Sequence, residues 1–357
     1  MGIPYAHPNK RFEPASPATQ WSSLFNASMP GPLCWQSQTM LRASVFSASP
    51  SEEANPRYAE DCLTVNVYKP TGASHVGTMA VLVWIHGGGF EIGGGSLYDG
   101  ADLASSQGVV VVTLNYRLGP LGFMVKDASG LGGMNGIHDQ IIALQWVRAN
   151  IASFGGDPSR LTIFGESAGG ISVCVLCVSP LARGLFQRAI TQSGPCTDSP
   201  GWGPKPAAKG LLVASLLAST LGATSLSELS DRTKFPAERL AGWAVSILEP
   251  QRSRTDTAPI SVDGWVAPAS PLELWTNGSA HVSAIVVGAN SFDGIVPFSE
   301  WAGWLPQNET AWVATLSSRF GAFSARVSAA YPLSNYGGSA VQAFVQVRCV
   351  WASDPRT

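Results

Sequence analysis

The segment Leu161–Ser172, LTIFGESAGGIS, holds the residues with the clearest potential for chemistry. A run of β-branched and aromatic residues meets Gly-Glu-Ser-Ala-Gly, and a helical pattern of small residues follows. A serine hydroxyl is a poor nucleophile at neutral pH, so a catalytic serine must stand clear of its backbone, beside a base and hydrogen-bond donors. A sharp strand-to-helix turn achieves this, and Gly165 and Gly169 leave room for it. The pattern predicts Ser167 as a nucleophile, with a chance match as the alternative.

The composition limits the classes of function. The chain has 357 residues, 45% of them hydrophobic, which is enough to bury a large core. Its formal net charge is -2 and only 13% of its residues are charged, which argues against binding to nucleic acid or to an anionic membrane surface. The longest apolar runs, VLVWI and VVVVTL, have the length of strands, so no membrane span is expected. The start, MGIPYAHPNKRF, lacks the basic and apolar regions of a signal peptide.

The segments before Ser167 predict an α/β fold. Leu63–Tyr68 alternates apolar and polar residues like a half-buried strand, whereas Ala80–Ile85 and Val109–Leu114 are apolar throughout, as central parallel strands are. Ile141–Ile151 has the pattern of a helix, and a Gly-Gly-Asp-Pro sequence then precedes the strand that leads to the serine. This order is typical of a doubly wound fold with a mostly parallel sheet.

A glycine run, HGGGF at residues 86–90, follows the first of the apolar strands. Glycines at the end of a buried strand expose backbone N–H groups, which suits an anion. A phosphate cradle and an oxyanion hole are the two alternatives, but the Lys-Ser/Thr of a P-loop does not follow. An HGGG pattern upstream of a nucleophile turn favours an oxyanion hole, whose donors would be the N–H groups of Gly88, Gly89 and Ala168.

The cysteines leave several pairings open. Cys34 and Cys62 enclose a loop whose closure would stabilise the fold by about 3 kcal/mol, but two free buried cysteines fit the spacing equally well. Cys174 and Cys177 form a C-x-x-C with no second pair, so core packing is favoured over a zinc or redox role. Two cysteines stay unassigned: Cys196 and Cys349.

Several segments together resemble the type-B carboxylesterases, a group that includes the cholinesterases and related lipases. The match extends from about residue 2 to about residue 300 and rests on GIPYA, RF, EDCLTVNVY, WIHGGGF, NYRLGPLGF, MNGIHDQIIALQWVRANIASFGGDPSRLTIFGESAGG, QSG and VDGW. The resemblance implies an α/β-hydrolase fold and a serine esterase that acts on a small-molecule ester through an acyl-enzyme. No cofactor and no metal are expected.

The resemblance also implies structural roles. Cys34 and Cys62 would form a disulfide, and Ser193 would be a buried serine near the catalytic acid. Two ion pairs are implied: Arg11 with Glu60, and Arg117 with Asp139. A secreted or endomembrane location is implied as well, and three N-x-S/T sequons are consistent with it: Asn26, Asn277 and Asn308.

The catalytic acid and base pose separate questions. Asp293 follows the apolar strand Ser283–Gly288, where most relatives carry a glutamate, and an aspartate can equally hold a histidine in the right tautomer. The alternative is that Asp293 is a turn residue before a glycine. The base should follow the acid along the chain, yet all five histidines precede it: His7, His75, His86, His138 and His281. His281 is nearest in sequence but should lie at the opposite end of its strand.

The resulting hypothesis treats residues 1–357 as a single α/β-hydrolase domain that lacks the C-terminal part carrying the histidine, as a fragment, a splice variant or a faulty gene model would. Such a chain is expected to be a carboxylesterase with an incomplete triad, inactive as it stands. The alternative is a non-catalytic adhesion or interaction protein, as in the neuroligin-like members of the family. Retention of Ser167 and of the glycines around it favours enzymatic ancestry.

Overall fold

The structure is a computed structural model that describes residues 1–43, 57–71, 78–194, 196, 204–242, 260–290, 306, 308–320, 324–340 and 342–343. The chain divides into two compact units, Met1–Val286 and Val287–Thr357. Asp293 and His75 lie outside the described residues. The single domain expected over residues 1–357 therefore stays a prediction. Within the described part, no helix is both long and apolar enough to cross a bilayer.

A mixed, mostly parallel sheet forms the centre of the first unit. Its strands and those of two small sheets are β1 (Ile3–Pro4), β2 (Ala6–His7), β3 (Ser16–Pro17), β4 (Leu33–Cys34), β5 (Tyr58–Ala59), β6 (Thr64–Tyr68), β7 (Met79–Ile85), β8 (Val110–Leu114), β9 (Gly156–Glu166), β10 (Arg188–Gln192) and β11 (Ala284–Gly288). The central order is β1-β6-β8-β7-β9-β10-β11. β7 pairs in parallel with β8 and β9, and β9 in parallel with β10, while β1 and β6 run antiparallel to their neighbours. The predicted α/β fold class is confirmed.

The α-helices lie between these strands along the chain and after the last of them. They are α1 (Gln38–Ala43), α2 (Ala101–Gln107), α3 (Gly119–Phe123), α4 (Asn135–Asn150), α5 (Ala168–Val178), α6 (Ala207–Leu221), α7 (Ala237–Ala241), α8 (Pro271–Thr276), α9 (Glu309–Phe320) and α10 (Ser324–Ala330). α4 begins upstream of the predicted start at Ile141, because Gly136 lets its first turn approach the chain after β8. A Cβ on Gly136 would lie 2.7 Å from the carbonyl oxygen of Arg117.

The two faces of the parallel strands differ in burial. Val83 and Ile85 of β7 and Ile163 of β9 are 0% exposed and share one core cluster with α4 and α5. On the opposite face, Trp84, Phe164 and Ile190 occupy one row across β7, β9 and β10 and are each partly exposed. β7 is a central parallel strand, as predicted, but its second face is only partly buried.

β6 departs from its prediction in the opposite direction. Its alternating pattern predicts polar side chains in solvent, but Thr64 and Asn66 are buried. The Asn66 side chain accepts a hydrogen bond from the N–H of Gly2 at 2.9 Å and donates to the Thr113 hydroxyl at 3.1 Å. Hydrogen bonding satisfies the Asn66 amide, so this side chain can occupy the interior.

Because the two faces of the sheet differ in burial, the same substitution should lower the free energy of unfolding by different amounts on each face. Ile163→Ala should lower the free energy of unfolding by about 3 kcal/mol, because it leaves a cavity at a fully buried site. Ile190→Ala on the neighbouring strand should cost about 1 kcal/mol, because its side chain is already partly solvated. Urea unfolding of both variants measures the difference, and equal losses would contradict the assigned asymmetry.

Candidate active site

The predicted nucleophile lies in the sharp turn between β9 and α5. Ser167 has φ 56 and ψ -121, a conformation that is rare for any residue other than glycine. Its N–H donates to the carbonyl oxygen of Gln192 on β10, and its own carbonyl accepts from the N–H of Ile171, both at 2.9 Å. Ser167 is partly exposed, whereas Ala168 is buried. The backbone thus holds Ser167 partly exposed between the exposed Glu166 and the buried Ala168.

Two glycines allow this turn to sit against the sheet. A Cβ on Gly165 would lie 2.6 Å from the carbonyl oxygen of Gly169 and 2.7 Å from that of Ile85. A Cβ on Gly169 would overlap the Ile85 oxygen and lie 2.9 Å from the His86 oxygen. Neither position has space for a methyl group, as the G-x-S-x-G pattern predicts for a helix packed closely on β7.

The glycine loop after β7 approaches the same turn. A Cβ on Gly87 would lie 2.7 Å from the carbonyl oxygen of Glu166 and 3.2 Å from the Cβ of Ser167. Gly88 and Gly89 follow with φ 102 and φ 66. The fold therefore brings the HGGGF loop and the Ser167 turn into direct contact.

Three peptide groups around Ser167 have their carbonyls engaged. The oxygen of Gly87 accepts from the His86 ring at 2.8 Å, and that of Gly88 accepts from two later N–H groups in the loop at 3.0 Å. The Ser167 oxygen accepts within α5. Because a trans peptide directs its N–H opposite to its C=O, the next N–H group points away from each of these bonds. Those N–H groups, at Gly88, Gly89 and Ala168, have no acceptor among the described residues.

The His86 side chain holds the glycine loop in place through contacts with Gly87 and Tyr116. Its ring is fully buried, lies 4.3 Å from the Tyr116 ring in a stacked arrangement, and directs Nδ1 to the Gly87 oxygen. The Tyr116 hydroxyl donates to the His86 carbonyl at 2.8 Å. Burial lowers the pKa of His86 to about 4, so the ring is neutral at pH 7. Its Nε2 has no hydrogen-bond partner in the described part of the chain.

The other described histidines are engaged elsewhere. Nε2 of His281 lies 3.1 Å from the oxygen of Ser179, just beyond the C-terminal end of α5. An eleven-residue helix is about 16 Å long, so this is far from Ser167. The His138 ring packs against Trp265 in a tilted arrangement with 4.4 Å between the ring centroids, and His7 pairs with Asp61 at 3.1 Å. Among the described residues, no histidine hydrogen-bonds Ser167.

The structural pairs implied by the resemblance are present. A disulfide joins Cys34 to Cys62 with a Cα–Cα distance of 5.0 Å. Arg11 contacts Glu60 at 2.6 Å, and Arg117 contacts Asp139 at 2.7 Å. Ser193 differs from expectation, because it is partly exposed and has φ 51. The described residues include no group of three or more His, Cys, Asp or Glu side chains that could hold a metal ion.

A second disulfide was not predicted. Cys174 is bonded to Cys196 and is not a simple core residue, whereas Cys177 is a free, buried thiol whose pKa burial raises to about 12. One feature of the sequence could have indicated this pairing. In a parallel β-α-β unit, the end of the second strand, here β10, lies near the start of the helix, here α5. A cysteine shortly after β10 can therefore reach the second turn of that helix.

Known proteins resemble this chain in sequence and in fold. The model of the carboxylesterase family matches residues 1–319. The chain belongs to the carboxylesterase family. It is similar to liver carboxylesterase 1 of Mus musculus, with 37% identity over 311 residues that cover 83% of this chain and 55% of the relative. It is also similar to the liver carboxylesterase of Sus scrofa, with 37% identity over 305 residues that cover 81% of this chain and 53% of the relative. The chain spans about half the length of the curated relatives it matches.

Solved structures of carboxylesterases extend the comparison to the fold. A structure titled PNB esterase has a TM-score of 0.75 at 32% identity and covers 98% of this chain and 72% of its own. A carboxylesterase of Geobacillus stearothermophilus has a TM-score of 0.74 at 34% identity and covers 90% and 63%. The α/β-hydrolase fold expected from the sequence is thereby confirmed.

Close packing around Ser167 predicts a large effect for a single methyl group. Gly169→Ala should lower the free energy of unfolding by roughly 2 kcal/mol or more, because the new methyl group meets backbone carbonyls that cannot move independently. Gly288→Ala is the matched control, since nothing lies within 4 Å of its Cβ position. Urea unfolding gives both values; a Gly169→Ala variant as stable as Gly288→Ala would contradict the contact with β7.

The buried neutral His86 predicts a specific pH dependence. Its folded pKa of about 4 lies below the unfolded value of 6.5, so stability is lost as pH falls from about 6.5 to 4, where only the unfolded chain gains the proton. Between pH 7 and pH 4.5 this group alone should cost about 2 kcal/mol. His86→Gln should reduce the loss of unfolding free energy by that amount. An identical pH dependence in both proteins would count against the assignment.

Proposed function

We propose that residues 1–357 carry the nucleophile and the oxyanion-binding N–H groups of a serine carboxylic-ester hydrolase. The observation that carries the proposal is the strained backbone of Ser167 directly beside Gly87 of the glycine loop. The unengaged N–H groups of Gly88, Gly89 and Ala168 support it, because they adjoin that serine. Family membership and esterase neighbours agree with the reaction class.

In the proposed reaction, the Ser167 oxygen attacks the ester carbonyl and gives up its proton. The three N–H groups would stabilise the negative oxygen of the tetrahedral intermediate. Expulsion of the alcohol, which takes up a proton, leaves an acyl group on Ser167, and water then releases the acid and restores the hydroxyl. The substrate would be a small-molecule carboxylic ester, and the steps need no cofactor.

Proton transfer is the step of the proposed reaction that residues 1–357 support least, because it needs a base beside Ser167. Asp293 is proposed as the acid that would orient a histidine, yet every histidine in the sequence precedes it. His86 is held by Gly87, and His281 lies at the far end of α5. In a comparable hydrolase, loss of the triad histidine lowers turnover roughly 10⁶-fold. We therefore expect residues 1–357 alone to be very slow, with catalysis limited by the absent base.

The proposed location is an oxidising compartment, either outside the cell or in the endomembrane lumen. Two disulfides form among the described cysteines, which is typical of such compartments. The asparagines of the three sequons are exposed: Asn26, Asn277 and Asn308.

A non-catalytic interaction protein of the same fold is the second candidate. It is favoured by one observation: among the described residues, no histidine hydrogen-bonds Ser167. Against it stands the retention of a strained serine with glycines on both sides, since backbone strain persists where it serves a function.

Labelling with a fluorophosphonate in the presence of imidazole separates these candidates. Imidazole can act as an external base, so labelling of the wild-type protein should rise with imidazole concentration, by roughly 10-fold or more. Ser167→Ala should abolish it. Ser172→Ala, which removes a buried hydroxyl one turn further along α5, should retain it.

Two results would contradict the esterase proposal. One is wild-type labelling no greater than that of Ser167→Ala at every imidazole concentration, which would favour the interaction protein. The other is labelling that Ser172→Ala removes but Ser167→Ala retains.

A further inference from the structure

The unpredicted disulfide joins α5, the helix that begins directly after Ser167, to the chain that follows β10. Cys174 is on the second turn of α5, and Cys196 follows the turn that leaves β10. Within that turn, the Gln192 carbonyl accepts the N–H of Ser167. We propose that the Cys174–Cys196 disulfide positions Ser167. It does so by holding the β10 exit turn, residues 191–194, against α5. This inference rests on the proposed role of Ser167 as nucleophile.

The β10 exit turn, residues 191–194, packs on α5 through backbone contacts. A Cβ on Gly194 would lie 2.5 Å from the carbonyl carbon of Gly170, and a Cβ on Gly170 would lie 2.9 Å from the Gln192 oxygen. The hydroxyl of Thr191 lies 2.9 Å from the Gly194 oxygen and 3.2 Å from the Gly170 oxygen. Only glycines permit this approach, so the turn has one close-fitting position on the helix.

Two strained residues depend on that position. Ser167 has φ 56 and Ser193 has φ 51, and they are two of the four described residues other than glycine with positive φ. The hydrogen bond from the Ser167 N–H to Gln192, the residue before Ser193, connects them. Such conformations persist only when the surrounding structure over-determines them.

The disulfide adds the covalent part of this constraint. Cys196 is two residues beyond Gly194, and the Cys174 sulfur lies 3.8 Å from both the Gly194 oxygen and the Thr191 hydroxyl. The bond therefore closes the turn at the point where it contacts α5. Without it, the turn can leave the helix, and the Gln192 oxygen no longer fixes the Ser167 N–H.

The chain provides a matched control in its other described disulfide. Cys34–Cys62 has the same Cα–Cα distance of 5.0 Å, and both of its cysteines are buried, as Cys174 is. It links β4 to the residues just before β6, on the antiparallel side of the sheet. Removing it should destabilise the protein without changing the Ser167 turn.

The test compares Cys174→Ser/Cys196→Ser with Cys34→Ser/Cys62→Ser. Amide hydrogen exchange is measured on peptides covering residues 165–172, well below both melting temperatures. We expect exchange roughly 10-fold faster in the first variant and near wild-type exchange in the second. Fluorophosphonate labelling of Ser167 with imidazole should fall by roughly 10- to 100-fold in the first variant alone.

Equal exchange in the two variants would overturn the positioning role, and so would a non-reducing peptide map that lacks the Cys174–Cys196 link. If the wild-type protein is never labelled, the proposed function fails, while hydrogen exchange still decides the positioning inference. If Cys174→Ser/Cys196→Ser does not fold, the Cys34→Ser/Cys62→Ser protein is reduced with dithiothreitol and re-oxidised. Reversible loss of protection at residues 165–172 supports the inference, and unchanged protection overturns it.

Discussion

The backbone conformation of Ser167 is the constraint on which the candidate site depends. At φ 56 the residue costs of the order of 1–3 kcal/mol, so neighbouring groups must hold it in place. β10 supplies the Gln192 carbonyl, α5 supplies the Ile171 N–H, and β7 lies so close that Gly165 and Gly169 cannot carry a side chain. Three separate elements therefore converge on one residue, which stays partly exposed.

The glycine loop extends the same constraint. Gly87 brings the loop against Ser167, and the buried His86 ring holds the Gly87 carbonyl through Nδ1. Fixing the carbonyls also fixes the N–H groups that would bind an oxyanion, so these donors need no reorganisation during the reaction. In this account His86 acts on the loop conformation and takes no part in proton transfer, which its pKa of about 4 would make ineffective at neutral pH.

The sequence allowed prediction of those features that local pattern determines. The strand, turn and helix around Ser167 follow from glycine placement, and the fold class follows from the order of apolar strands. The partial exposure of the second face of β7 was not predictable, because an apolar composition does not show whether a second layer covers Trp84. The Cys174–Cys196 pair was missed, because pairing depends on which segments meet in space. The assignment of Asp293 as the acid stays a prediction, since it lies outside the described residues.

A crystal structure of the protein after reaction with a fluorophosphonate would show whether Ser167 and the glycine loop form one site. We expect a phosphonyl group on the Ser167 oxygen, with its phosphoryl oxygen about 2.7–3.1 Å from the nitrogens of Gly88, Gly89 and Ala168. A phosphonyl group on another residue would contradict the account. So would an adduct on Ser167 whose phosphoryl oxygen lies beyond about 3.5 Å from all three nitrogens.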